Sequence, residues 1–356
     1  MAQKLVLGID EAGYGPNMGP FVVVATAWRV PQDLAVEQMH ELLLPEIQPL
    51  SLHSKNHAKK GAHVPLGDSK KIYTGKFGWE SLCYGAHFLL ESVERSQKDT
   101  LRNHDLNTGK TKGACSIEDS GAQLYPQDWA RVKKVPWLSS LWLERPVDLD
   151  LTDSLCTIAQ EARESARSKL RTLGIELVAA QGRLIDEVEW NRLVKQFQNK
   201  SSVLSELTLG LARYLANETV QANEPIEIYC DKHGGRNRYQ ALLMNAFEGQ
   251  WFDTHAETSR LSRYSTVWAD HPLMIQFRVE GDSLVPSAAA SILAKWTREL
   301  AMKALNEFWI NQATRLGGPV PKPTAGYYVD AMRFAADIEE LAARNGPHKS
   351  DWWRVK

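Results

Sequence analysis

Cysteine is scarce in this chain of 356 residues, and its four examples, Cys83, Cys115, Cys156 and Cys230, stand far apart with no paired spacing. That argues against a paired-cysteine metal site and fits free thiols in a reducing compartment, so the cytoplasm is the expected location. Also missing is any run of about 18 apolar residues, the length a membrane-spanning helix needs. No signal-peptide pattern opens the sequence, and a soluble protein with no membrane association is expected. Net charge is nearly absent: 42 Lys and Arg face 43 Asp and Glu, leaving −1. Charge-driven binding must therefore come from local clustering. No internal repeat is visible. What the chain does have is length and 43% hydrophobic composition, enough for two domains or for one domain carrying a large insertion.

The most informative stretch comes early. Leu5 to Ile9 reads as a buried strand and runs straight into Asp10 and Glu11, then into a turn with Gly13, Tyr14, Gly15, Pro16 and Gly19. Unpaired carboxylates at the rim of a sheet are costly unless a cation or a pKa shift relieves them. Phe21 to Trp28 is β-branched enough to be a second strand, making a hairpin with the first. Helical apolar spacing follows at 32–44 and at about 78–93, with a basic, histidine-containing loop between them and Asp68-Ser69-Lys70-Lys71 before the second. From about 95 to 150 the composition turns polar and then tryptophan-rich, with Trp129, Trp137 and Trp142, and no clear period. It reads as an insertion.

Beyond it lie a helix at about 153–172, a strand at 175–180 and a long helical stretch from Glu187 to Asn217 with a break near Asn199. Two more apolar runs end on acids. Ile226 to Cys230 leads to Asp231, and Leu273 to Val279 leads to Glu280-Gly281-Asp282. After Asp231 the loop 232–239 places Lys232, Arg236 and Arg238 beside two glycines, a composition suited to holding phosphate. Pro286 opens a helix whose first turns are small, Ser287 to Ser291, so it can lie close against a sheet. Further helices and a basic aromatic end, Trp352-Trp353-Arg354, close the chain.

Hard divalent cations take oxygen ligands, and two of them about 4 Å apart can drive phosphodiester hydrolysis. Asp10, Glu11, Asp231 and Asp282 could supply such a cluster, although a single acid at a strand end is more often a turn or cap residue. Other readings are weaker. A dinucleotide loop at Gly13–Gly15 is opposed by Pro16, Pro20 and the two acids. A sugar-kinase or actin-like hairpin would need further glycine turns. The irregular spacing of His53, His57 and His63 suits a solvated loop better than zinc.

The chain resembles the ribonuclease HII and HIII family. Asp10-Glu11-Ala12-Gly13-Tyr14-Gly15 with Gly19-Pro20 is similar to the family's opening signature, Asp68-Ser69-Lys70-Lys71 to its Asp-Ser-Lys-Lys segment, and Asp282 through Lys295 to its Asp, Ser-Ala-Ala-Ser-Ile-x-Ala-Lys stretch. Asp231 sits where the family has a strand-borne carboxylate, and Gly326-Tyr327 matches a late Gly-Tyr pair. The resemblance implies an α/β, ribonuclease H-like fold, a central mixed sheet flanked by helices. The catalytic domain would be formed by residues 1–94 and 171–356, with 95–170 inserted. It implies cleavage of the RNA strand, or of embedded ribonucleotides, in RNA/DNA hybrids. Two Mg²⁺ or Mn²⁺ ions would be held by Asp10, Glu11, Asp231 and Asp282, and the products would carry 3′-hydroxyl and 5′-phosphate ends. Substrate contacts would fall to Gly13, Tyr14, Gly15, Ser69, Lys70, Arg236, Arg238, Lys295 and Tyr327. A monomer is expected. One departure stands out: Tyr14 occupies the place of a basic residue. Arg236 or Arg238 could restore that charge. The alternative reading is a catalytically weak or inactive nucleic-acid-binding relative of the same fold.

Overall fold

A computed structural model describes residues 2–51, 63–74, 77–108, 153–345 and 347–355, together with residues 123, 124, 135 and 138. The tryptophans of the insertion, Trp129, Trp137 and Trp142, and the histidines His53 and His57 lie outside them. Strands are β1 (Gln3–Ala12), β2 (Phe21–Pro31), β3 (Ile47–Gln48), β4 (Val64–Pro65), β5 (Gln123–Leu124), β6 (Glu176–Ile185), β7 (Ile226–Asp231), β8 (Asp253–Glu257), β9 (Leu261–Trp268) and β10 (His271–Arg278). Helices are α1 (Met39–Leu42), α2 (Ser69–Tyr73), α3 (Gly78–Thr108), α4 (Asp153–Thr172), α5 (Glu187–Phe197), α6 (Lys200–Thr219), α7 (Gln240–Ala246), α8 (Val285–Leu316), α9 (Tyr328–Asn345) and α10 (Lys349–Trp352).

Eight strands make one mixed sheet in the order β5-β6-β2-β1-β7-β10-β9-β8. β1, β7 and β10 run parallel at its centre, while β2 and β9 are antiparallel to their neighbours. The central strands are largely buried on both faces, which is why Leu5 to Ile9 of β1 reads as an unbroken apolar run, while β7 admits Glu227, paired with Lys4, and β10 admits Gln276. Successive side chains of β1 go to opposite layers: Val6 packs with α3 and α8, whereas Leu5, Leu7 and Ile9 pack with the layer of α5, α6 and α7. β1 and β2 form the expected hairpin, with Ala12 opposite Val22 across the glycine turn.

Several expectations shift in extent. The 32–44 stretch forms a short 3-10 turn and one turn of α1 rather than a full helix. The helix begun at Gly78 runs through residue 95 to Thr108. α4 follows the expected 153–172 span, and its Arg163 and Arg167 both pair with Glu91 of α3. The long helical stretch does break: Gln198 takes φ 56°, and the Asn199 side chain caps α6 by accepting the Ser201 N–H.

The closest approach in the molecule that matters for the site is between β1 and α8. A Cβ on Gly8 would lie 2.0 Å from the Pro286 carbonyl carbon and 2.2 Å from the Ser287 nitrogen. Ser287 through Ser291 are all buried there, and Thr26 Oγ1 of β2 donates to the Pro286 carbonyl at 2.8 Å. Backbone on both sides leaves nothing flexible to yield. Gly8→Ala is expected to cost about 3 kcal/mol or more in urea unfolding. Gly210→Ala, where the added methyl meets open space inside α6, is expected to gain about 1 kcal/mol.

Candidate active site

The parallel centre of the sheet delivers the acids to one edge. Ile9 pairs with Cys230 and Arg278 with Asp231, so Asp10 and Asp231 leave adjacent strands at the same level. The Gly281 N–H donates to Asp231 Oδ1 at 3.3 Å, which folds the turn after β10 back and brings Asp282 beside Asp231. Each of these carboxylates feels the others: the charges of Asp231 and Asp282 act on Asp10, those of Asp10 and Asp231 on Glu11, and those of Asp68 and Asp231 on Asp282. Asp68, which caps α2 by accepting the Lys70 N–H, is thus a fifth acid near the cluster that the sequence reading left out of the site.

Burial first, and then like charge, raises all three groups. Asp10 is pushed up to about 7, against a backbone hydrogen bond from Glu11 and a side-chain bond from Ser291 that pull it down. Glu11 is pushed up to about 8, with Lys70 opposing, and Asp282 is raised with Lys70 and Lys71 opposing. As the side chains stand, no three His, Cys, Asp or Glu among the described residues are gathered closely enough to hold a metal ion. The donors are nonetheless all hard carboxyl oxygens, half-buried and short of positive charge, and in that respect they fit a hard divalent cation, which would favour their ionised form.

The glycine turn is held from beneath. Gly13 has φ 86°, and a Cβ there would lie 2.6 Å from Arg298 Nε. The N–H groups of Asn17 and Met18 donate to the Gly326 carbonyl at 2.9 and 3.2 Å, and Arg298 Nη2 donates to the Ala325 carbonyl at 3.0 Å. Gly326 and Tyr327 are therefore brought to the opening turn from the far end of the sequence. Tyr327 is 55% exposed at its rim. Tyr14 is half-buried and packs edge-on against Phe21 and Trp190. Its phenol is raised by burial and by Glu11, and lowered by the nearby Arg236.

Other expected contacts fall in varied surroundings. Ser69 is buried, its Oγ 2.9 Å from Ser291 Oγ, so it backs Asp10 through Ser291. Lys295 is engaged with Glu299 at 2.5 Å and lies over Tyr73. Arg236 donates to Ser201 Oγ at 2.9 Å, and Arg238 is exposed with Glu257 3.6 Å away. Lys232 organises their loop, its Nζ reaching the Arg236 and Thr258 carbonyls, Asn237 Oδ1 and Ser262 Oγ.

Three parallel strands flanked by antiparallel neighbours in one mixed sheet, with helices on both faces, give the central mixed sheet flanked by helices expected of a ribonuclease H-like fold. No family model matches the chain, and no curated protein matches it. Among solved structures, the chain is similar to ribonuclease H2 from Pyrococcus horikoshii OT3, with 15% identity, TM-score 0.38, and coverage of 98% of this chain and 92% of that one. It is also similar to ribonuclease HII in its complex with PCNA from Archaeoglobus fulgidus, with 14% identity, TM-score 0.38 and coverage of 99% and 94%. Bst-RNase HIII in complex with Mn²⁺ gives 13% identity and TM-score 0.37, covering 99% of this chain and 66% of that one.

Sequence reading missed one group that supports the turn. Glu187, at the start of α5, is fully buried, and its Oε1 accepts the Gly19 N–H at 2.8 Å. Burial pushes its carboxyl up to about 7; Asp186 adds to the shift, and Arg354 opposes it. Arg298 of α8 also faces it. A carboxyl raised in the folded state contributes stability that is complete below its ordinary value of 4.5 and is lost as pH rises through about 7. Glu187→Gln removes that loss. In denaturant titrations the variant is expected to gain on the parent between about pH 5 and about pH 8.5, by at most about 3 kcal/mol; a pH-independent difference would contradict the assignment.

Proposed function

We propose that this chain is a divalent-metal-dependent endoribonuclease that cleaves the RNA strand, or embedded ribonucleotides, of RNA/DNA duplexes, leaving 3′-hydroxyl and 5′-phosphate ends. The observation that carries the reading is that Asp10, Glu11, Asp231 and Asp282 lie at or just beyond the ends of adjacent strands, near enough for charge to act between them, beside a glycine turn. These four carboxylates would hold two Mg²⁺ or Mn²⁺ ions. When bound, such ions activate the attacking water and stabilise the leaving oxygen of a phosphodiester.

The chain's own groups do the rest. Ser69 and Ser291 keep Asp10 oriented from behind. The backbone of Gly13, Tyr14 and Gly15 offers donors to a ribose 2′-hydroxyl, the group that separates RNA from DNA. Tyr327 offers an exposed ring at the edge of that turn, and the exposed cations Lys70 and Arg238 would meet backbone phosphates.

Labelled duplexes with one ribonucleotide, with an all-RNA strand, or with DNA alone test the reading in Mg²⁺ and in Mn²⁺. Cutting is expected only where ribonucleotides and a metal are both present. Asp10→Asn and Asp282→Asn are each expected to reduce it by more than the roughly 10–100-fold that loss of an outer-shell partner costs. Tight duplex binding with no cutting in either metal would instead make the protein a binding relative of the same fold.

A further inference from the structure

Beneath the glycine turn lies a buried charged cluster that the acids above it do not account for. Arg354 comes from the segment after α10 and is 1% exposed. Its Nη2 donates to the Gly13 carbonyl at 2.6 Å and also to the Pro16 carbonyl. Its main chain is locked to the same turn: the Arg354 N–H donates to the Asn17 carbonyl at 2.7 Å, and Asn17 Nδ2 donates to the Arg354 carbonyl at 3.2 Å. The guanidinium lies 4.9 Å from the centre of the Trp190 ring. Trp190 and its neighbour Asn191 grip the tail on either side, Trp190 Nε1 donating to the Val355 carbonyl and Asn191 Nδ2 to the Trp353 carbonyl. Arg298 and Glu187 complete the cluster, and Glu299 lies 3.6 Å from the Arg298 guanidinium.

Such a cluster is expensive as a mere structural device. Arg354 Nε and Nη1, Arg298 Nε and Glu187 Oε2 have no hydrogen-bond partner, and each buried unsatisfied polar group costs about 1–3 kcal/mol. Burial is severe enough to bring Arg354 down to about 9. What the arrangement secures is the direction of two peptide planes. In a trans peptide the C=O and the following N–H point opposite ways. With the Pro16 carbonyl drawn down to Arg354, the Asn17 N–H is turned to the Gly326 carbonyl. With the Gly13 carbonyl drawn down in the same way, the Tyr14 N–H is turned in the opposite direction.

We infer that Arg354 is a positioning residue of the substrate site: by holding the Gly13 carbonyl inward it aims the Tyr14 N–H at the sugar and phosphate of the bound ribonucleotide. The inference rests on the nuclease reading above. It gives a guanidinium below the turn a part in recognition, acting through the backbone, where position 14 itself carries no cation. Tyr14 itself is left to pack against Phe21 and Trp190.

The test combines amide hydrogen exchange with duplex binding. In Arg354→Met, exchange across residues 13–19 is expected to rise by about tenfold or more, with β1 and α8 unchanged. Affinity for a single-ribonucleotide duplex is expected to fall about tenfold towards that of the all-DNA duplex, with all-DNA and Mn²⁺ affinities unchanged, and Arg354→Lys is expected to recover part of the loss. Unchanged exchange at 13–19 in a folded variant would overturn the claim that Arg354 holds the turn. Faster exchange with undiminished ribonucleotide preference would overturn its role in recognition. A measurement on the parent protein covers the case in which the variants fail to fold. The Tyr14 amide is expected to be protected by the ribonucleotide duplex and not by the all-DNA duplex, and equal exchange with both would overturn the proposal. Protection of that amide without any cutting would uphold the Arg354 assignment while removing the nuclease reading.

Discussion

Everything at the site depends on two backbones meeting at Gly8. β1 carries Asp10 and Glu11 two and three residues beyond this point, and α8 starts on the other side of it. Because no side chain separates them, the first turns of α8 lie against the sheet, and Ser291 comes within reach of Asp10. The same approach fixes the Gly281–Ser283 turn that precedes α8, and with it Asp282. A helix one side chain further from the sheet would carry Asp282 and Ser291 away from Asp10 together. The acids are therefore brought to one edge by packing, and the packing holds carboxyl groups at a half-buried edge where burial first, and then like charge, raises Asp10, Glu11 and Asp282.

Much of this frame is written in the sequence in local terms. Mainly apolar runs that end on an acid mark β1 and β7, because a strand buried on both faces leaves few polar positions before it reaches the sheet edge. Small residues after Pro286 announce a helix meant for close contact. The break at Asn199 is a capping signal that needs no tertiary information. Elsewhere the pattern misleads or is silent. β8 pairs only on one side, and its first three residues are exposed, so it carries no apolar alternation to read. The polar drift after residue 94 suggests that the fold pauses there, yet α3 continues to Thr108, and Glu91 ties it to Arg163 and Arg167 of α4. Charged residues that pair across 70 positions look, in sequence, like solvated surface.

The least legible feature is the support under the glycine turn. Glu187 and Arg354 are single charges with nothing in their neighbourhoods to suggest burial; an acid in the first turn of a helix reads as an ordinary dipole partner, and an arginine near a chain end as exposed. Their placement is set by contacts that only the assembled fold creates: Trp190 under the guanidinium, Asn17 paired to the tail's backbone, and Gly326 approaching Met18 so closely that a Cβ would lie 2.3 Å from its carbonyl oxygen.

Placing the cation below the turn rather than on it changes what kind of recognition is possible. A lysine or arginine on the surface meets a phosphate directly, gives up side-chain freedom when it does so, and weakens steeply as salt rises. A buried guanidinium has already lost that freedom on folding and is shielded from bulk ions, so it acts through the backbone it orients. A peptide N–H held in advance pays no reorganisation when the ligand arrives, and it responds to the position of an acceptor more than to the total charge of the strand. On this reading the turn is suited to telling a ribose from a deoxyribose. The general, salt-sensitive attraction to the duplex falls to the exposed cations around it, Lys70 and Arg238.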